Sequence, residues 1–290
     1  MVALVLPLRD ENPTLRTPVV TVLIILLCIG TWFLAQSGLR GTTEIPTEAG
    51  RVRIDEQLRF NLQYAAVPCE IVRQRPLVLQ EIADTYSRGD PAACEADPDT
   101  PALFPGKVVL AAVVTSMFLH GGLFHLASNM LFLWIFGNNI EDRMGHVRFA
   151  LFYVLGGIAA TVGFVLSQPD ATVTLVGASG AVAAVMGAYL VWFPRAPIRT
   201  LIFLFLVDIR ARWYLLFWFG MQFFTAPGSG VAWMAHVAGF AFGVLAGLVA
   251  RAARPPLLVP RDRADRRWWD PTGGVGRGPY AQPSSWMGRR

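Results

Sequence analysis

Long stretches without a charged residue dominate the chain. There are 23 uncharged positions between Arg16 and Arg40, 33 between Lys107 and Glu141, and 21 between Arg148 and Asp170. A further 24 lie between Asp170 and Arg195, and 38 between Arg212 and Arg251. A helix rising about 1.5 Å per residue needs about 20 residues to cross the hydrocarbon of a bilayer. The 38-residue window holds two short crossings, separated by Ala226-Pro227-Gly228-Ser229-Gly230. Gly121-Gly122 divides the 33-residue window and leaves residues 107–120 to lie at the interface or dip into it. Six spans are therefore predicted, near 17–37, 122–141, 148–168, 178–194, 211–226 and 231–251, the fifth being the shortest. The run Leu201–Val207 is apolar but too short to cross. The predicted fold class is an all-α membrane protein, a six-helix bundle.

Composition agrees. Of 290 residues, 54% are hydrophobic and only 16% charged, against about 25% charged in an ordinary soluble domain. This excludes general disorder and a coiled coil, and it argues against a soluble enzyme. The net charge is +5, and Lys107 is the only lysine. The arginines are not clustered with exposed aromatics, so no nucleic-acid partner is expected. They sort instead by loop. Arg9 and Arg16 precede the first span; Arg143 and Arg148 follow the second; Arg195, Arg199, Arg210 and Arg212 follow the fourth; Arg251 opens the tail. The third-to-fourth and fifth-to-sixth loops carry none. This alternation predicts cytoplasmic termini. The first external loop, 38–106, is basic but long, and long loops cross regardless of charge. Its Cys69 and Cys94 either pair or remain free thiols; Cys28 sits mid-span. The expected organisation is an N-terminal segment 1–16, a core 17–251 and a disordered cytoplasmic tail 252–290, whose Trp268-Trp269 pair could rest on the membrane surface.

Polar residues within the spans are costly unless partnered, so they mark candidate sites. Gly177-Ala178-Ser179-Gly180 opens the fourth span. Ser179 either caps that helix or serves as a nucleophile beside free N–H groups at a positive dipole end. His236 lies early in the sixth span, at a similar depth. Gly239, Gly243 and Gly247 follow it at intervals of four, and Ser179, Ala183 and Gly187 repeat that interval on the fourth span. Two small-residue stripes allow close packing, which would bring Ser179 to a His236 acting as general base. His125 and Asn129 share one face of the second span. They could supply oxyanion donors or make interhelical hydrogen bonds. For His120 a structural role is favoured. Glu141-Asp142-Arg143, at the other end of that span, reads as a structural clasp.

Zinc hydrolysis from a helix wants two histidines four apart with a glutamate between; His120 and His125 are five apart with none. No metal or cofactor is expected. The spans hold no carboxylate pair and no acid to orient the histidine. A Ser–His dyad remains.

At these residues the sequence resembles the rhomboid family of intramembrane serine proteases. The resemblance runs from about Val113 to Gly247 and rests on the stretches 120–129, 136–145, 177–181 and 235–239 with Gly243. It implies a six-helix core with Ser179 and His236 as the dyad. It implies an oxyanion hole from the Ser179 N–H, Asn129 and His125, with His120, Gly177, Gly180, Gly239 and Gly243 in support. It implies transmembrane protein substrates cut near the outer face after unwinding, entering between the second and fifth spans, with Trp218 and Phe223 facing that gate. A Trp-Arg pair common in the family's first external loop has no counterpart between 38 and 106. The expected location is a bacterial inner membrane. A second reading is a catalytically silent binder of transmembrane helices, which would lack the Ser or the His. A small-solute transporter would show repeated halves and mid-bilayer ionisable groups, and neither is visible.

Overall fold

A computed structural model describes residues 5–47, 50–94, 100–226 and 230–253. The tail, including Trp268-Trp269, and most of the 226–230 break lie outside the described residues.

Six helices stand where the charge-free windows predict spans. They are α1 (Val19–Gln36, its last turn π-helical), α6 (Leu123–Met144), α7 (His146–Ser167), α8 (Ser179–Trp192), α9 (Ala211–Gln222) and α10 (Trp233–Ala252). α1, α7 and α10 are long and apolar enough to cross a membrane. α6 pairs with the short α5 (Val109–Thr115), across a break and an 80° bend, as a fourth candidate. α8 and α9 have only 14 and 12 residues. The bend falls at the Gly121-Gly122 break, so 109–118 turns away as a separate piece.

Local chemistry explains the junctions. Gly145, at φ +79°, ends α6 in a conformation that costs a side-chain-bearing residue, and α7 starts at the next position. Glu141 reaches back to the start of α1. Its carboxylate accepts the Val20 and Thr21 N–H groups at 2.8 and 2.7 Å and the Thr21 hydroxyl at 2.7 Å. This satisfies orphan donors and places negative charge at the positive helix end. Asp142 accepts from Leu15 and Arg16 N–H. The clasp expected at 141–142 is thus a bond between α6 and the entry to α1.

α8 is the buried axis, with every residue from Gly180 to Tyr189 buried. α10 packs along it so closely that a Cβ on Gly239 would strike the Gly180 carbonyl and one on Gly243 the Ala184 carbonyl. The face α8 offers is Gly180, Ala184 and Ala188, not the expected Ser179, Ala183 and Gly187 row in full. Gly187 still meets α10, at the Phe240 carbonyl.

The all-α expectation needs correction, since the described residues include five strands. The N-terminal segment forms β1 (Val5–Asp10), which pairs antiparallel with β4 (Pro197–Ile202), and β4 pairs with β5 (Phe205–Arg210). The apolar run 201–207 is therefore the end of a hairpin. Asp10 closes this sheet onto the bundle by accepting from the Tyr189 hydroxyl at 2.8 Å and Asn139 Nδ2 at 2.5 Å.

The 38–106 loop is a folded insertion. It contains a hairpin, β2 (Thr42–Thr47) and β3 (Gly50–Asp55), then α2 (Glu56–Tyr64), α3 (Pro68–Arg73) and α4 (Leu79–Ser87). Ile45, Ile54, Leu62, Val67, Leu77 and Ile82 form its own core, and Cys69 and Cys94 are disulfide-bonded. The lone lysine is sealed inside. Lys107 Nζ donates to the Leu62 and Ala65 carbonyls at 2.7 and 2.8 Å and pairs with Glu70. Burial pushes the Glu70 carboxyl up and the Lys107 ammonium down, each opposed by the other's charge.

Candidate active site

The insertion and the bundle meet at the end that carries Ser179. Ala66 N–H donates to Ser116 Oγ, Leu175 N–H to the Ala66 carbonyl, and Gly177 N–H to the Ser116 carbonyl, at 2.7, 2.8 and 2.9 Å. The segment before Ser179 is thus pinned by backbone bonds on two sides. Gly177 then turns at φ +121°, where a Cβ would also lie 2.8 Å from the His125 ring. Only glycine suits both conditions.

Ser179 is the first residue of α8, one position past the N-cap Ala178. Its Oγ lies 2.8 Å from His236 Nε2. The capping alternative for this serine is therefore not what the structure shows. His236 sits in the first turn of α10, and its Nδ1 lies 2.8 Å from Gln222 Oε1 at the end of α9. Gln222 Nε2 in turn donates to the Trp218 carbonyl at 2.9 Å. The Trp218 ring packs on the imidazole, with centroids 5.8 Å apart, and on Phe240. Trp218 therefore lines the pair, while Phe223 remains exposed and touches Phe219 and Trp233.

His125 borders the same place from α6. Gly121 N–H points at its Nδ1 at 3.4 Å, and the Cε1–Nε2 side of the ring faces Gly177. Asn129, one turn deeper, is buried and donates through Nδ2 to the His125 carbonyl at 2.8 Å. That bond uses one of its two amide hydrogens. His120 is fully buried with its ring edge-on to His125, centroids 5.3 Å apart. Its backbone is clasped instead. Gln36 Oε1 accepts the His120 N–H at 3.0 Å, and Gln36 Nε2 donates to the His120 carbonyl at 3.0 Å. Gln57 Nε2, from the insertion, donates to that carbonyl too, at 3.1 Å.

Two glutamines escaped the reading of the sequence. Gln222 and Gln36 each lie near the end of a predicted span, and both are buried. The cost that singled out histidine, serine and asparagine applies equally to a buried carboxamide, and that was the available signal.

A hydroxyl bonded to a neutral imidazole, with helix N–H groups alongside and a third group on the far ring nitrogen, can perform nucleophilic acyl chemistry. A family profile described as the Rhomboid domain matches residues 109–253, half of the chain. The chain is 32% identical over 168 residues to "Rhomboid protein 1, mitochondrial" of Saccharomyces cerevisiae, covering 54% of this chain and 47% of that protein. It is 36% identical over 78 residues to "Putative rhomboid protease YdcA" of Bacillus subtilis, covering 27% of this chain and 39% of that one. A match of 37% over 78 residues joins it to "Rhomboid protease GluP" of the same organism, covering 27% and 15%. The chain thus spans less than half the length of these relatives. It is an integral, multi-pass membrane protein, and it belongs to the rhomboid family.

Proposed function

We propose that this chain is an intramembrane serine endopeptidase that cuts transmembrane proteins with a Ser179–His236 dyad. The observation that carries the reading is the 2.8 Å contact between Ser179 Oγ and His236 Nε2, two residues 57 positions apart.

In this reading His236 Nε2 takes the Ser179 proton as Oγ attacks the scissile carbonyl. The negative oxygen of the tetrahedral intermediate is held by the Ser179 N–H at the positive end of α8, the His125 Nε2–H and the second amide hydrogen of Asn129. The imidazolium returns its proton to the leaving amine, and an acyl-enzyme remains on Oγ. Water then repeats the cycle, deprotonated by His236, to release the carboxylate. Gln222 touches no substrate. It is a positioning residue that holds the imidazole ring.

Six crossings, with both termini cytoplasmic, complete the proposal. The arginine alternation supports this orientation, and it puts the insertion on the outer side with the dyad. The Cys69–Cys94 bond supports an oxidising compartment on that side, such as a bacterial periplasm provides.

The test is the full chain in proteoliposomes with a single-pass reporter substrate. Cleavage is expected for the native protein and lost by at least about 1000-fold in Ser179→Ala and His236→Ala. Ser179 is expected to be labelled by a fluorophosphonate. Cleavage that persists in Ser179→Ala overturns the reading.

A further inference from the structure

The hairpin of β4 and β5 ends in a tip that the rest of the protein does not cover. Phe203 and Leu204 form its two-residue turn, because Ile202 pairs with Phe205. Leu204 is 91% exposed, Phe205 73%, Phe203 62% and Leu206 60%. Successive strand residues point to opposite faces, so the tip is apolar and uncovered on both. A two-residue hairpin turn ordinarily takes Asn-Gly or another pair tolerant of positive φ. Here Phe203 holds φ +52°, a conformation costly for a bulky side chain. A strained turn built from Phe and Leu is the reverse of what water selects, and such strain persists where the position serves a purpose.

Placement indicates what covers it. Ile198 and Thr200, on one face of β4, are fully buried, and Ile198 belongs to the bundle core with Val5 and Ile209 packed beside it. The sheet therefore lies against the end of the bundle opposite Ser179 and does not stand away from it. Arginine–tryptophan pairs ring this end, with Arg143 over Trp192 at 5.0 Å and Arg212 over Trp213 at 5.1 Å. Such residues gather at the membrane–water boundary. Charges also cluster at the base of the sheet, where Arg199 pairs with Asp208 at 2.9 Å and with Glu11 at 3.7 Å. The order along the strands is thus charged at the base and apolar at the tip. β5 passes directly into α9, whose Trp213, Leu216 and Phe217 are exposed and continue the apolar surface.

We propose that the β4–β5 hairpin is a membrane-surface anchor, its Phe203–Val207 tip buried among the lipid acyl chains of the leaflet opposite the dyad. This uses the common behaviour of interfacial segments, apolar side chains in the boundary and arginines at headgroup level. It does not depend on Ser179 being a nucleophile.

The experiment measures depth in the full chain reconstituted in phosphatidylcholine–phosphatidylglycerol vesicles. Cys28 is buried and the other cysteines are bonded to each other, so a bimane can be attached at Leu204→Cys or, separately, at Leu206→Cys. The reference label is Arg51→Cys on β3, where the native side chain is exposed. Both tip labels are expected to be quenched at least about twofold more than the reference by a nitroxide on carbon 5 of the lipid chain. They should be protected from iodide at least about threefold. Iodide access equal to that of Arg51→Cys overturns the proposal. Protection from iodide without nitroxide quenching also overturns it, and self-quenching that rises with protein density would then identify a second copy as the cover. Replacing the turn by Phe203→Asn with Leu204→Gly should raise iodide access at a Leu206→Cys label, with unchanged elution on size exclusion showing that the fold is kept.

Discussion

Gln222 and His236 share a hydrogen bond that determines which ring nitrogen carries the proton. Gln222 Nε2 is committed to the Trp218 carbonyl, so Oε1 is the atom that meets His236 Nδ1. An amide oxygen can only accept. Nδ1 must therefore be the protonated nitrogen, and Nε2 offers its lone pair to Ser179 Oγ–H. A group on α9 thereby sets the tautomer that a general base needs.

Gln222→Leu removes that acceptor and leaves a buried N–H without a partner, a loss of about 1–3 kcal/mol. Cleavage by the reconstituted protein is expected to fall about 10- to 100-fold, in kcat with little change in KM. Gln222→Glu keeps an acceptor oxygen and should retain activity within about tenfold of native. Equal losses in both variants, or a loss confined to KM, would assign Gln222 a packing role instead.

Asp10 should make stability depend on pH. Burial pushes its carboxyl up from 3.8 to about 7, against the hydrogen bonds from Tyr189 and Asn139 that pull it down. Between about pH 4 and 7 the folded protein keeps a proton that the unfolded chain has released. This contribution is full at the acid end of the window, declines as pH rises, and is gone above about 7. Asp10→Asn cannot ionise. It should melt higher than native at pH 8, by several degrees, and the gap should close toward pH 5. A gap independent of pH would count against this account.

The approach of α10 to α8 makes a sharp steric prediction. A methyl at Gly243 would meet the Ala184 backbone, whereas one at Gly30 on α1 would meet nothing within 4 Å. Gly243→Ala should cost about 1–3 kcal/mol or more and lower the melting temperature by several degrees. Gly30→Ala should be neutral or slightly stabilising. Melting both in the same detergent compares them directly.

The Cys69–Cys94 bond closes a loop with a sequence separation of 25. A cross-link over such a loop stabilises by about 3 kcal/mol, chiefly by restricting the unfolded chain. The double variant Cys69→Ala with Cys94→Ala should therefore loosen the insertion. Earlier proteolysis between residues 41 and 106, with α6 to α10 still intact, is the expected pattern. Identical proteolysis of variant and native chains would contradict it.

Charge and hydropathy made the six helices legible because a bilayer tolerates few alternatives to an apolar helix. The serine, the histidines and Asn129 were legible for a related reason, each being a polar group where polarity is expensive. The strands were not. Leu201–Val207 reads only as a short apolar run, and its partner strand begins almost two hundred residues earlier, at Val5. On α8, Ser179 and Gly187 meet α10 as the spacing suggests, but the closest backbone approach falls at Gly180 and Ala184, which spacing alone does not show. Gln222 shows no feature in the sequence beyond its polarity, since its role arises only when α9 and α10 are side by side.

Gln36 presents an oxygen to one backbone group of His120 and an amide to another. Its side chain therefore behaves as a spare peptide unit, completing a short ladder between a span and a loop. Only a carboxamide of this reach does both tasks. A carboxylate there would oppose the His120 carbonyl, and a thioether would leave the buried His120 N–H unanswered. Position 36 is thus a place where the hydrophobicity that suits the rest of α1 would be the wrong choice. The first helix takes part in the architecture of the loop that introduces His125.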